Sequence, residues 1–198
     1  MGLQARPDAM VVGVVSRLTE QKGLHLVEAV ADELVSGGAQ LAVLGTGDAP
    51  LEQAFVRAAG RHPGQIAVDI GYDESLAHAI LAGTDLVLVP SRFEPCGLTQ
   101  LYALRYGALP LVHRVGGLAD TVVDATAQNL DAGRATGFAF DEFSTRGLWG
   151  ALRRAFDLHG RPDSWASLQR TAMQQRFDWA EAAGRYVALY RSLRPHAD

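Results

Sequence analysis

Short apolar runs recur along the chain at Met10 to Val15, Leu41 to Leu44, Ile66 to Ile70, Leu86 to Val89, Leu109 to Val112 and Gly137 to Phe140. Most are continuous rather than alternating, the pattern of strands covered on both faces. Between them the spacing becomes helical. Leu24, Val27, Ala31 and Leu34 fall on one helix face, Leu98, Leu101 and Leu104 on a second, and Leu148, Leu152, Ala155 and Phe156 on a third. Alternating strands and helices predict a parallel sheet with right-handed crossovers, a Rossmann-like α/β sandwich with helices on both faces. From Arg146 to Leu193 no strand is expected, only helices broken near Gly160 to Asp163 and Phe177 to Trp179. Tyr186, Val187, Tyr190 and Leu193 share a stripe of the last one, and Trp149, Trp165 and Trp179 are expected to anchor the packing. The expected organisation is one domain: a leader over 1–9, an α/β core over 10–145 and a helical tail over 146–198.

Composition narrows the function. The 198 residues are 48% hydrophobic and 20% charged, ordinary for a globular chain. A net charge of −4 with scattered basic residues gives no reason to expect a nucleic-acid partner or an anionic membrane surface. The apolar runs are too short for a membrane-spanning helix, and Met1 to Asp8 lack the apolar core of a signal peptide. The single cysteine, Cys96, excludes an internal disulfide and fits a reducing cytosol, so a cytoplasmic location is expected. The six histidines show no metal-ligand spacing with one another or with Cys96, and no metal is expected.

Residues 91–107, Ser-Arg-Phe-Glu-Pro-Cys-Gly-Leu-Thr-Gln-Leu-Tyr-Ala-Leu-Arg-Tyr-Gly, carry the most chemistry. They lie where a buried strand gives way to a loop and then a helix, the edge at which α/β sheets bind ligands. A helix start there offers unpaired N–H groups and a positive dipole end, which suits a phosphate. Glu94, preceding Pro95, is held out of the helical region. It could accept hydroxyl hydrogens from a sugar, or simply pair with Arg92 on the surface. Thr99 could donate to a phosphate or cap the helix. Cys96 reads as a small buried residue rather than a nucleophile, because no His and Asp lie near it in sequence.

Other strand ends add to this. In Ser16 to Leu24, Arg17 and Lys22 sit on a polar turn ahead of a helix and could clamp a diphosphate, although an isolated pair reads equally as solvated loop charges. Gly45-Thr46-Gly47 permits a close ligand approach, but it lacks the third glycine of a dinucleotide site and reads as well as an ordinary turn. Tyr72 could stack on a nucleobase, and taken alone reads as a half-buried ring packed on its loop. Gly116 and Gly117 form another turn where backbone and ligand could meet.

Taken together these strings resemble the C-terminal half of the bacterial glycogen synthases, retaining GT-B glucosyltransferases akin to plant starch synthases. The resemblance runs from about residue 10 to the end, through Ser16 to Gly23, Gly71-Tyr72, Pro90 to Gly107, Gly116 to Val122 and Phe177-x-Trp179 with Tyr186 to Tyr190. Many related transferases carry a second Glu eight positions after the first. Tyr102 stands there instead, which favours the glycogen and starch synthase branch. The resemblance implies an ADP-glucose donor, an α-1,4-glucan acceptor and neither metal nor cofactor. It implies that Arg17, Lys22 and Glu94 are catalytic, with Arg17 and Lys22 on the diphosphate and Glu94 on the donor glucose. Tyr72 would stack on adenine, Gly97, Leu98 and Thr99 would meet the distal phosphate, and Cys96 and Gly47 belong to the same donor-binding set. The family's N-terminal domain, with its Lys-x-Gly-Gly-Leu motif, has no counterpart here, so the chain alone is expected to be nearly inactive. The last helix, which would cross to that domain, is expected to expose apolar surface. The alternatives are another nucleotide-sugar transferase of this fold, or a non-catalytic nucleotide-binding domain; intact Arg17, Lys22 and Glu94 weigh against the latter.

Overall fold

All six apolar runs form strands: β1 (Val11–Val15), β2 (Gln40–Gly45), β3 (Ile66–Ile70), β4 (Leu86–Val89), β5 (Leu109–His113) and β6 (Phe138–Phe140). In the structure, a computed structural model that describes residues 1–193, they make one sheet in the order β3-β2-β1-β4-β5-β6. Each pairing is parallel, so the loops that follow the strands gather along one edge. The chain winds outward from β1 to β3, then returns to place β4 on the other side of β1. The loops after β1 and β4 therefore lie side by side at this switch point, and a crevice is left between them.

The helices are α1 (Leu24–Ala29), α2 (Ala31–Ser36), α3 (Ala49–Arg61), α4 (Glu74–Gly83), α5 (Thr99–Tyr106), α6 (Gly116–Thr121), α7 (Ala127–Asp131), α8 (Thr145–His159), α9 (Pro162–Met173) and α10 (Trp179–Ser192). Strand alternation splits the core. Leu86 and Leu88 join the cluster under α1, α2, α8 and α9, while Val87 and Val89 pack with Leu81, Ala103 and Leu118 of α4, α5 and α6. Both faces are covered, which is why the strands read as unbroken apolar runs. Leu41, Leu86, Leu88, Leu109 and Leu111 are almost wholly inaccessible, and each such side chain contributes about 1.5–3 kcal/mol of burial.

Leu24, Val27, Ala31 and Leu34 are all buried although the helix breaks at Val30. On α5 the expected face holds for Leu104, which is buried, and for Leu101, which packs against the core, but not for Leu98. Leu98 precedes the helix and is exposed, and the inward residues are Gln100, Ala103 and Leu104. The helix starts at Thr99, so Leu98 belongs to the crevice loop and an amide takes the first inward position. In the tail, α8 is capped by Ser144, whose Oγ accepts from the Gly147 N–H at 3.0 Å. Trp165 is an anchor, stacked on Phe138 at 6.1 Å between ring centres, and Trp149 packs edge-on against Phe156. Trp179 is not an anchor: it is 85% exposed. It opens α10, whose Tyr186, Val187 and Tyr190 are likewise exposed, as is Leu193 just beyond it. Among the described residues no helix is long and apolar enough to cross a membrane.

Candidate functional site

The site forms because the loops after β1 and β4 dock on each other. Gly23 adopts a left-handed φ of 71°, and a Cβ there would lie 2.0 Å from the Pro90 carbonyl. Only glycine allows that approach. The Arg92 N–H donates to the Gln21 carbonyl at 2.8 Å. Docked this way, Lys22 Nζ lies 2.5 Å from Glu94 Oε2, with the two side chains 19% and 11% exposed. Glu94 Oε2 also accepts from Ser91 Oγ at 3.0 Å. The surface pairing of Glu94 with Arg92 does not occur. The Arg92 guanidinium lies over the Phe143 ring instead, 4.6 Å from its centre.

A third segment supports the acid. The Gly117 N–H donates to the Glu94 carbonyl at 3.0 Å. Gly116 has φ of 44°, and a Cβ on it would fall 2.3 Å from that same oxygen. The close backbone approach expected at this glycine pair is made by the Glu94–Cys96 loop. Gly47 has a similar structural part. A Cβ on it would lie 2.3 Å from the Leu18 carbonyl, and its N–H donates to Glu52 Oε1 at 2.8 Å. The Thr46 hydroxyl donates to the same oxygen at 2.7 Å. The Gly47 amide first, then the Thr46 hydroxyl, hold the Glu52 carboxyl below the usual carboxylate range.

A narrow cavity of about 70 Å³ remains between the loops, bounded by Ser16, Lys22, Glu94, Gly97, Leu98, Thr99 and Gln100. Of the residues expected to bind donor, Lys22, Glu94, Gly97, Leu98 and Thr99 thus meet at one point. Among the described residues no backbone carbonyl accepts from the N–H of Gly97, Leu98 or Thr99, and no side chain caps α5. Thr99 is therefore not a cap, and the positive end of an eight-residue helix faces the cavity. Arg17 is exposed beside Ser16 at the rim. Cys96 is exposed rather than buried, with Sγ 3.5 Å from the Gly97 carbonyl.

Gly47 and Tyr72 lie further along the same edge. Tyr72 is 87% exposed, not half-buried, on the loop after β3. β3 is two strands from β1, so at about 4.8 Å per strand its end lies roughly 10 Å along the edge from the end of β1. The whole edge could therefore seat an extended ligand with its phosphates at β1 and β4 and a flat ring at β3. Among the described residues no group of three His, Cys, Asp or Glu is arranged to hold a metal ion.

Sequence reasoning missed two supporting residues. His113, at the end of β5, places Nδ1 2.9 Å from the Ser91 carbonyl. Gln100 is fully buried against the turn. Its signal was available, since a polar residue occupies an inward position of a helix that is otherwise apolar on that side.

Residues 3–167 match the family described as glycosyl transferases group 1. The chain is 63% identical over 196 residues to a glycogen synthase of Albidiferax ferrireducens, covering 99% of this chain and 40% of that protein. It is 57% identical over 192 residues to a glycogen synthase of Francisella philomiragia, covering 97% and 40%. Among solved structures, the catalytic domain of starch synthase IV from Arabidopsis thaliana, bound to ADP and acarbose, matches with a TM-score of 0.87 at 34% identity, over 96% of this chain and 40% of that one. The chain spans about 40% of the length of the curated relatives it matches.

Proposed function

The chain belongs to the glycosyl transferases group 1 family, and from that premise we propose that it is the donor-binding part of a glycogen synthase. In this reading the whole protein moves glucose from ADP-glucose to the non-reducing end of an α-1,4-glucan with retention of configuration. The observation that carries it is the Lys22–Glu94 pair set beside three N–H groups with no acceptor, at Gly97, Leu98 and Thr99.

The chemistry follows from where charge develops. When the bond between glucose C1 and the diphosphate oxygen breaks, its electron pair stays on the phosphate. Lys22, Arg17 and the α5 N-terminus take up that charge, and each charge-assisted contact is worth about 1.5–3 kcal/mol. No metal or cofactor enters this scheme. Glu94 accepts hydroxyl hydrogens of the glucose, Tyr72 stacks on the adenine, and Cys96 and Gly47 border the bound donor. The acceptor glucan is held mainly by the part of the protein outside this chain, onto which α10 packs, so the chain alone binds donor and transfers little glucose. The unpaired thiol of Cys96 fits a cytoplasmic setting.

Calorimetric titration with ADP, ADP-glucose and UDP tests this. Selective ADP binding, weakened about tenfold by Arg17→Ala, is the expected result. Preference for UDP would move the chain to another donor class. Failure to bind any nucleotide, even with the N-terminal half supplied in trans, would overturn the donor-site reading.

A further inference from the structure

We propose that Gln100 is a positioning residue that aims the turn from Cys96 to Thr99 at a phosphate without filling the place the phosphate takes; this rests on the donor-site reading above. Gln100 is inaccessible to solvent, lies in the first turn of α5 and borders the cavity with Lys22, Glu94 and Thr99. Its Nε2 donates to the Cys96 carbonyl at 2.9 Å and the Gly97 carbonyl at 3.0 Å. Both partners can only accept, so the nitrogen, not the oxygen, must face them.

The geometric consequence is direct. In a planar trans peptide the C=O and the following N–H point in opposite directions. Holding the Cys96 and Gly97 carbonyls inward therefore turns the N–H groups of Gly97 and Leu98 outward. Those are N–H groups without an acceptor. Nε2 also lies 3.3 Å from Thr121 Oγ1. That hydroxyl donates to the Gly117 carbonyl at 2.6 Å, and the Gly117 N–H in turn holds the Glu94 carbonyl. One amide thus ties the phosphate-facing turn to the segment that carries the acid.

The other end of the side chain gives the second observation. Gln100 Oε1 is buried without a partner. The amide is therefore held through its nitrogen alone, and the place of its oxygen is set by the space around it. That oxygen faces Gly97, where φ is 74° and a Cβ would lie 2.5 Å from it. Gly97 and Gln100 are therefore one device: the amide needs the space that only glycine leaves.

The test compares ADP with AMP, which lacks the distal phosphate, on the wild-type chain, Gln100→Leu and the isosteric Gln100→Glu. Thermal melting identifies folded protein, and the shape-conserving Gln100→Glu covers the case in which the leucine variant does not fold. The expected result is a loss of at least about tenfold in ADP affinity with AMP affinity changed less than about twofold, so that preference for the distal phosphate collapses. Equal losses for both nucleotides, or none, would overturn the proposal. Amide spectra supply a readout that needs no nucleotide: the signals of Gly97, Leu98 and Thr99 should shift in Gln100→Leu while those of the β-strands stay in place. Unmoved turn signals would refute the positioning role. Wild-type binding without preference for ADP, alongside shifted turn signals, would instead locate the failure in the donor-site reading.

Discussion

Two strand-to-helix turns on the same sheet edge, one ahead of α3 and one ahead of α5, begin from similar chemistry and end differently. Each brings glycine N–H groups to a helix start. Ahead of α3, Glu52 reaches back and takes the Gly47 N–H and the Thr46 hydroxyl. Ahead of α5, the residue in the first turn is neutral, and Gln100 grips the carbonyls of the turn instead of its N–H groups. The first turn is satisfied by its own chain; the second is held in shape and left open. A helix start becomes an anion site only when the chain supplies no anion of its own and something else fixes the turn.

The largest expected effect comes from disturbing what fixes the open turn. Gly116→Ala would set a Cβ 2.3 Å from the Glu94 carbonyl at a residue with φ of 44°. Destabilisation of about 1–3 kcal/mol is expected in urea unfolding, together with loss of ADP binding. Gly133→Ala is the control, since its φ of 61° is also left-handed but nothing lies within 4 Å of the added carbon. It should lose some stability and keep its nucleotide. Normal ADP affinity in folded Gly116→Ala would mean that the Glu94 loop is not held from α6.

The next effect separates the acid from the turn. Lys22→Met leaves Glu94 largely buried without its cation, and a loss of about 1.5–3 kcal/mol is expected. Adding Glu94→Gln to that variant should restore most of it. Glu94→Gln alone should raise ADP affinity a few-fold, because Lys22 is then no longer shared with a carboxylate. Glucose transfer by the full-length protein should fall with the same change. Weaker ADP binding in Glu94→Gln would show that the acid supports the phosphate site rather than competing for its lysine.

This contrast was only partly legible in the sequence. The six strands announced themselves because burial on both faces leaves no polar alternation, and the motif strings located Lys22 after one strand and Glu94 and Gly97 after another. The meeting of Lys22 with Glu94 was not legible, because it depends on β4 returning to pair beside β1. Nor was the purpose of the glycines. Gly47, Gly116 and Gly117 were open to reading as places for a ligand, whereas each makes room for a neighbouring loop. Spacing reports that a backbone comes close to something, not to what. Gln100 escaped notice because it sits inside a motif whose charged residues drew the chemical reading. Tyr72 and Cys96 were each expected to be less accessible than they are, since an aromatic ring or a thiol usually finds cover unless the site leaves it out.

The smallest effect tests the satisfied turn and runs through pH. The Glu52 carboxyl sits below the usual carboxylate range in the folded chain because the Gly47 amide and the Thr46 hydroxyl bond its charged form. A lowered folded value means that the bonds stabilise above the unfolded value, about 4.3 for glutamate, and that this stabilisation fades as pH falls through the folded one. Asp32, lowered mainly by His62 and then Arg61, and Glu142, lowered by Arg146 and then Ser144, act in the same sense. The urea midpoint of the wild type should therefore fall as pH drops from about 5 to 3. Glu52→Gln should flatten that fall by one carboxylate's share and leave ADP affinity at pH 7 unchanged, because its turn has no part in holding phosphate. Tighter ADP binding in Glu52→Gln would break the comparison, since it would mean that the α3 turn is a second phosphate site held shut by its own glutamate.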